Sequence, residues 1–195
     1  MVHRTSPPES RESRAPAAAT PSAFGVLDDC HRRTLAALDK LEAIVDRIDG
    51  GVDAQTRMLA AEVVRHFSIT AREHHEDEER HLFPKLLANA ETEQTVLRLQ
   101  QDHHWLDEDW RELAPHLDAI ARGHGWYDVA FLRDGVTVFS ALSRDHIALE
   151  ETFLYPAARA RTGALEAEAM GREMAARRRA ARRAAANGVA PPPRS

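Results

Sequence analysis

Two stretches of the sequence carry histidine and glutamate at the same spacing. One runs from His74 to Pro84 and the other from His146 to Pro156, and both read His-x-x-x-Glu-Glu-x-x-Leu-aromatic-Pro. The second copy begins 72 residues after the first. In an α-helix, side chains four residues apart lie on the same face. Each copy therefore directs an imidazole and a carboxylate to one point, a combination that is typical of metal sites.

The same offset relates two histidines that stand alone, His31 and His103. The apolar residues around them correspond as well: Leu27 with Leu99, Leu41 with Leu113, and Ile48 with Ile120. We therefore predict two halves, each with a lone histidine followed 43 residues later by a His-x-x-x-Glu pair. The candidate metal ligands retained by this repeat are His31, His74, Glu78, His103, His146 and Glu150.

Some polar residues close to these six fall outside the duplicated pattern. Three histidines correspond to non-histidines under the offset: His75 to Ile147, His104 to Arg32, and His81 to Phe153. We predict that these three are exposed or hydrogen bond to a ligand residue. Asp107 corresponds to Leu35. A solvated acid is the favoured interpretation of Asp107, and a seventh metal ligand is the alternative.

Four helices must position the six residues. Apolar residues recur at helical spacing over four stretches, at about residues 23–49, 53–88, 92–122 and 128–156. Gly50-Gly51 and Gly123 end the first and third stretches. Asp53 is predicted to cap the second, and Pro84 predicts a kink or an early end there. The sequence thus predicts an all-α fold, an antiparallel up-down four-helix bundle with an internal two-fold repeat.

The predicted bundle occupies residues 23–162 and has a segment of different composition on either side. Residues 1–22 are rich in Pro, Ser and Ala and have no apolar face, so we predict disorder. Residues 163–195 form a basic tail, helical or disordered, and residues 172–195 contain seven Arg and one Glu. Nucleic acid, an acidic membrane surface and the protein's own acidic body are alternative contacts for this tail, and a solvated tail without a specific partner is favoured.

Length and composition predict a single soluble domain. The chain has 195 residues, enough for one well-filled core. No apolar run approaches the ~20 residues that a transmembrane helix needs. The N-terminus lacks the apolar stretch of a signal peptide, so we expect a cytoplasmic location. Cys30 is the only cysteine, which excludes an internal disulfide and argues against a thiolate zinc site.

Two glutamates, Glu78 and Glu150, fall on the apolar stripes that face the predicted bundle centre. An unpaired carboxylate in such a place costs several kcal/mol, on the order of the penalty for any buried charge without a partner. A pair of cations removes this cost, since four neutral imidazoles and two carboxylates form a set of nitrogen and oxygen ligands. This donor set suits non-haem iron, with manganese or zinc as alternatives.

The order of these motifs resembles the hemerythrin-like, or HHE cation-binding, family. The resemblance rests on a lone His and a His-x-x-x-Glu pair in each half, with Leu-Phe-Pro and Leu-Tyr-Pro closing helices two and four, and covers about residues 24–160. It implies a four-helix bundle with an oxo- or hydroxo-bridged di-iron centre. The implied ligands are the six residues of the repeat, with Glu78 and Glu150 as bridges.

The sequence departs from the oxygen-carrying members of that family at two places. They have a second histidine four residues after the one on helix three, where this chain has Asp107. They have a carboxylate five residues after the histidine of helix four, whereas this chain has both Glu150 and Glu151. We expect a protein that binds or responds to dioxygen, peroxide or nitric oxide. The alternatives are a metal- or redox-sensing module acting through the basic tail and a peroxide-scavenging enzyme.

Overall fold

The computed structural model describes residues 22–187, and this part of the chain is helical without any β-strand. The eight α-helices of the described residues are α1 (Ala23–Arg47), α2 (Ala54–Arg65), α3 (Arg72–His81), α4 (Phe83–Leu87), α5 (Ala90–Arg122), α6 (Val129–Leu149), α7 (Tyr155–Arg159) and α8 (Ala164–Ala186). A short 3-10 turn, Ile48–Gly50, follows α1. The predicted all-α class is therefore confirmed for residues 22–187. The predicted disorder before residue 22 falls on residues outside the described range.

Polar side chains cap the N-termini of α1, α2, α5 and α6. Asp53 accepts a hydrogen bond from the amide of Thr56 at 2.7 Å, which confirms the cap predicted for the second stretch. Ser22, Asn89 and Asp128 act in the same way at the starts of α1, α5 and α6. Each cap satisfies an amide that has no partner inside its helix. The polar residue before each apolar stretch thus determines where the helix begins.

Glycine and proline interrupt the helices at the predicted places. Gly51 has a φ of 92° after the 3-10 turn, and Gly123 has a φ of 75° at the end of α5. Both values lie in the region that glycine adopts without a steric penalty. The helix is interrupted at Leu82, between α3 and α4, and Pro84 lies in the first turn of α4. Because proline has no amide hydrogen, it is tolerated in this first turn but not inside a continuous helix.

Two π-helical segments lie where the sequence predicts uninterrupted helix. The first, His66–Ala71, joins α2 to α3, and the second, Glu150–Leu154, joins α6 to α7. A π-helical turn contains an extra residue, so it rotates the side chains that follow relative to those that precede it. The first segment immediately precedes the helix of His74, and the second begins at Glu150 itself. Both segments therefore affect the directions in which the side chains of the candidate ligands point.

Two clusters of buried apolar residues lie at opposite ends of the long helices. The larger cluster contains residues from the C-terminal halves of α1 and α5 and from α2 and the N-terminal half of α6. The smaller cluster contains residues from the N-terminal ends of α1 and α5 and from α4, α7 and α8. In all four long stretches, the candidate ligands fall in sequence between the residues of the two clusters. The polar site therefore lies between two apolar layers.

Helix α8 packs against the rest of the protein. Ala167, Met170 and Met174 are buried in the smaller cluster. Arg177 and Arg178 both form ion pairs with Asp77, a fully buried residue of α3. Of the alternatives for the basic tail, contact with the protein's own acidic body is the one observed for this helix. The favoured interpretation, a solvated tail without a partner, is wrong for these arginines, because the buried carboxylate attracts them.

Candidate metal centre

The six residues of the sequence repeat come together inside the protein. Each of them is at most 5% exposed to solvent. They form two groups of four, and within each group one donor atom per residue lies within 4.8 Å of the others. The first position consists of His31, His74, Glu78 and Glu150, and the second position consists of Glu78, His103, His146 and Glu150. Both glutamates belong to both positions.

The donor atoms of the first position are close enough to bind one ion. His31 Nε2 lies 3.0 Å from His74 Nε2 and 3.1 Å from Glu150 Oε2. His74 Nε2 lies 3.5 Å from Glu78 Oε2. Two donors that bind one ion at about 2.1 Å, in directions at right angles, lie about 3 Å from each other. These separations therefore fit a small cation of the first transition series.

The second position has the same kind of geometry. His146 Nε2 lies 3.0 Å from Glu150 Oε1. His103 Nε2 lies 3.4 Å from Glu78 Oε2 and 3.9 Å from Glu150 Oε1. Glu150 thus directs one oxygen to each position, Oε2 towards His31 and Oε1 towards His146. This is the orientation that a carboxylate needs in order to bridge two ions.

The second glutamate of each Glu-Glu pair orients the lone histidine of the other half. Glu79 Oε1 lies 2.8 Å from Nδ1 of His103, and Glu151 Oε1 lies 3.1 Å from Nδ1 of His31. A carboxylate at this place favours a proton on Nδ1 and leaves the lone pair of Nε2 directed towards the centre. The 72-residue repeat contains both glutamates, but their spacing alone did not show which histidine they reach.

The aromatic residue of each motif packs on the same two histidines. The ring of Phe83 stacks on His103 at a centroid distance of 5.4 Å, and that of Tyr155 stacks on His31 at 5.0 Å. Tyr155 also donates a hydrogen bond to Glu78 Oε1 at 2.6 Å, and its oxygen lies 3.1 Å from His31 Nε2. The two halves of the site therefore share a stacked ring, and only one of these two rings has a hydroxyl group.

A second difference concerns the histidines of the His-x-x-x-Glu pairs. Nδ1 of His146 lies 3.7 Å from a carboxylate oxygen of Asp102. Under the 72-residue offset, Asp102 corresponds to Cys30. Nδ1 of His74 and Nδ1 of His146 are both buried without a hydrogen-bond partner among residues 22–187. The outer nitrogen of one histidine thus faces an acid, whereas its counterpart does not.

The protons of the protein alone do not satisfy the atoms at the centre. Three polar atoms lie within 3.1 Å of His31 Nε2, and a single N–H group can serve only one of them. Five of the buried nitrogen and oxygen atoms that face the two positions lie near polar neighbours but make no hydrogen bond of acceptable geometry within the described part of the chain: Glu78 Oε2, both oxygens of Glu150, His103 Nε2 and His146 Nε2. Native proteins rarely leave buried polar atoms unpaired. Cations at the two positions would satisfy these lone pairs, so the residues fit a metal pair.

The pKa values of the metal-free protein reflect the two carboxylates buried at the centre. Burial and the neighbouring charge of Glu150 raise the pKa of Glu78 to about 7. Burial by itself would lower the pKa of His146, but Glu150 and Asp102 outweigh it and raise this pKa to about 9. Burial and His31 lower the pKa of His74 well below its ordinary value. The pKa values of His31 and His103 are raised as well, by the neighbouring glutamates, so His74 is the one histidine of the four whose pKa is lowered.

The histidines outside the repeat have different surroundings. The ring of His75 stacks on His103 at 3.9 Å with an angle of 11° between the planes. His75, His103 and His146 also form a third group, in which one nitrogen per ring lies within 4.8 Å of the others. Nε2 of His81 lies 2.7 Å from Glu173 of α8. His104 is exposed and pairs with Glu108.

Asp107 lies beside the site, and its carboxylate faces cations. Its oxygens lie 3.3 Å from Arg72 and 3.6 Å from Arg111. Asp107 belongs to neither group of four donors. Two guanidinium groups therefore face the Asp107 carboxylate, and the choice between a solvated acid and a seventh ligand stays a prediction.

A small cavity of about 30 Å³ adjoins the two positions. Its wall is formed by His31, His74 and His146 together with apolar residues that include Phe67, Leu106, Trp110 and Phe139. A site that holds one water molecule needs roughly half this volume, so the cavity suits a molecule of one or two heavy atoms. Arg72, His75 and Asp107 line both this cavity and a more open pocket on the outside. These three side chains therefore lie between the cavity and the outer pocket.

Comparison with known protein families gives one match. A family model described as the hemerythrin HHE cation binding domain matches residues 22–158. This range contains the two π-helical segments and all six residues of the repeat, and it ends before α8. No curated protein matches the chain. Among the described residues, no helix is both long and apolar enough to cross a bilayer.

Proposed function

The chain belongs to the hemerythrin HHE cation binding domain family, and from that premise we propose that it is a non-haem di-iron protein that binds or responds to dioxygen or a related small oxidant. Peroxide and nitric oxide are the related molecules of suitable size. The observation that supports this proposal most directly is the pair of four-residue groups that share Glu78 and Glu150.

We assign the six repeated residues as the metal ligands. His31 and His74 would hold the first ion, His103 and His146 the second, and Glu78 and Glu150 would bridge them. Mixed imidazole and carboxylate donors favour iron over calcium or magnesium, while manganese and zinc accept the same set. The unpaired buried lone pairs and the near-3 Å separations between donors support the assignment.

We also propose the predicted architecture, an antiparallel four-helix bundle over residues 23–162, as the frame of this centre. Support comes from the two apolar clusters. Residues near the start of α1 share a cluster with residues from the end of the second stretch, and the later residues of α1 share the other cluster with the start of α2. The same alternation relates α5 and α6. Neighbouring stretches with this pattern run in opposite directions.

The protein's own residues would determine which molecules reach the metals. When iron is bound, it supplies reversible binding or reduction of a small oxidant. Glu79 and Glu151 hold the lone histidines in one tautomer. The apolar wall of the cavity, which includes Phe67 and Phe139, excludes bulk water, and the small volume of the cavity excludes organic substrates. The geometry therefore favours small inorganic ligands.

Metal analysis combined with optical spectra tests the proposal. We expect two iron ions per chain after loading, and an oxo-to-iron absorption that changes when argon is replaced by air, peroxide or nitric oxide. Replacing Glu78 and Glu150 together with alanine should abolish both the iron and the absorption. A colourless protein with a single zinc ion would contradict the proposal, and peroxide decomposition that persists in the double variant would show that any scavenging occurs elsewhere.

A second candidate function, metal- or redox-sensing, is favoured by the contacts of α8. Arg177 and Arg178 pair with Asp77, the residue next to the shared ligand Glu78. A shift of α3 on metal binding would therefore reach α8 through these ion pairs. In this case proteolysis within α8 should become faster when the metal is removed. Equal cleavage rates with and without metal would show that metal binding does not affect α8, and would contradict this second candidate function.

A further inference from the structure

We propose that Tyr155 provides a seventh donor to the metal pair, binding the ion at the first position through its phenolate oxygen. The inference rests on the proposed function, because it requires an ion between His31 and His74. It assigns a direct role to a residue that the repeat does not single out, since its counterpart is Phe83. It also makes the two metal positions chemically different.

The position of the Tyr155 oxygen supports a ligand role. It lies 3.1 Å from His31 Nε2 and 2.6 Å from Glu78 Oε1, and the residue is 2% exposed. The distance to His31 equals the one between His31 Nε2 and Glu150 Oε2. The phenol oxygen therefore lies as far from His31 Nε2 as another donor of the first position does. The Tyr155 ring is nearly parallel to the His31 ring, with an angle of 7° between the planes. This orientation does not prevent binding, because a phenolate oxygen is able to bind a metal that lies outside its ring plane.

The chemistry of the oxygen suits iron in its ferric state. A phenolate is a hard anionic ligand, and tyrosine serves as an iron ligand in some haem enzymes. On binding, the O–H bond of Tyr155 breaks, its proton leaves to solvent, and a lone pair of the oxygen forms the bond to the ion. No oxidation state changes in this step. Glu78, which accepts a hydrogen bond from the phenol in the metal-free protein, then has both oxygens available for the ions.

The second position offers no equivalent group. Phe83 occupies the corresponding place beside His103 and has no polar atom. The first position would therefore have five protein donors, namely two imidazoles, two carboxylates and a phenolate, and the second position would have four. An exogenous small ligand is consequently expected at the second position, where more coordination sites remain open.

A pair of variants separates a ligand from a simple hydrogen-bond donor. Tyr155→Phe removes only the oxygen, and Phe83→Tyr adds a hydroxyl at the counterpart place as the matched control. All three proteins are loaded with ferrous iron and oxidised in air. We then measure iron content, the visible absorption, and the resonance Raman spectrum excited within the visible band.

The wild-type protein should show a phenolate-to-iron absorption in the visible range and phenolate ring vibrations in the Raman spectrum. Tyr155→Phe should lose both signals while keeping two irons per chain, and Phe83→Tyr should keep at least the wild-type intensity. Two irons in the wild type without these signals, or signals that persist in Tyr155→Phe, would overturn the ligand role of Tyr155 and leave the di-iron proposal intact. An iron content below two in the wild type would instead contradict the di-iron proposal itself. The Raman spectrum of the wild type decides the question even if a variant fails to fold.

Discussion

The two metal positions come from the same motif, yet their surroundings differ. Both have two histidines, share two glutamates, and have an aromatic ring stacked on the lone histidine. Tyr155 near the first position corresponds to Phe83 near the second, and Cys30 corresponds to Asp102. The duplication therefore preserves the donors that neutralise the buried charge. The residues around the donors vary, and they make the two positions chemically different.

The pKa values of corresponding histidines show how much this difference matters. Asp102, close to Nδ1 of His146, helps to raise the pKa of that histidine to about 9. The pKa of His74 is lowered instead, because it is buried and lies next to His31. Equal positions in a repeat thus have opposite preferences for a proton. Variants of these residues test whether the difference carries over to metal binding.

The largest expected effect comes from replacing a donor that both positions share. Glu150→Gln should reduce the iron content from two per chain to nearly none, because this carboxylate directs an oxygen to each position. His31→Ala should leave about one iron, at the second position. Metal analysis after desalting measures both values. His104→Ala is the control, since its side chain is exposed, and it should retain two. One full iron in Glu150→Gln would show that the positions are independent.

The next effect concerns the stability of the metal-free protein between pH 6.5 and 9. His146 has a raised pKa in the folded state, so its stabilising contribution is present below about pH 6.5 and is lost as the pH rises through about 9. At about 1.4 kcal/mol per pKa unit, His146 alone should lower the free energy of unfolding by roughly 3 kcal/mol across this range. His31 and His103, whose pKa values are also raised, should add to this fall. Urea unfolding at several pH values measures it.

Two controls accompany the pH experiment. Asp102→Asn should reduce the slope, because the variant removes one of the charges that raise the pKa of His146. The metal-loaded protein should show a smaller slope, since the ion takes the place of the proton. A metal-free protein whose stability rises between pH 6.5 and 9 would contradict the predicted protonation of the second position.

A smaller effect is expected from the glutamates that orient the lone histidines. Glu151→Gln should weaken the first position and Glu79→Gln the second, each by about 10- to 100-fold, the usual range for partners of metal-bound histidine. Stepwise titration with ferrous iron under argon resolves the two binding events. Glu108→Gln, at an exposed acid paired with His104, is the matched control. The assignment would be wrong if both variants weakened the same binding event.

The smallest effect on metal binding is expected at Cys30, the counterpart of Asp102. Burial raises the pKa of this thiol to about 12, so the thiolate that would bind a metal is scarce. Cys30→Ala should leave the number of bound ions unchanged. Alkylation of Cys30 by iodoacetamide at pH 8 should be slow whether or not metal is present. Rapid alkylation in the metal-free protein alone would indicate that the thiol takes part in the site.

Much of the site could be predicted from the sequence because helical periodicity and the repeat constrain the same residues. The spacing of His74 and Glu78 determines that both lie on one helical face, and the 72-residue offset identifies their counterparts. The cap at Asp53 and the end of the third stretch at Gly123 follow from local backbone chemistry. These features depend on residues near each other in the chain or on direct repetition.

The remaining features depend on contacts between distant segments. Periodicity shows which face a side chain is on but not how far it reaches, so the contacts of Glu79 and Tyr155 were not predicted. The π-helical segments interrupt a pattern that otherwise continues smoothly. The docking of α8 depends on Asp77, which looks like one more surface acid in a run of charged residues. Met170 and Met174, four residues apart, were the only local sign that this helix has a buried face.

The loop between α5 and α6 contains no candidate ligand; the chain before it holds three histidines and one glutamate of the six, and the chain after it holds one histidine and one glutamate. Neither part alone can assemble a complete position, because each position needs both glutamates. If the polypeptide were cut within this loop at Gly125, the two fragments would be expected to reassociate most strongly when iron is added. Metal binding would then stabilise the association of two separately produced fragments.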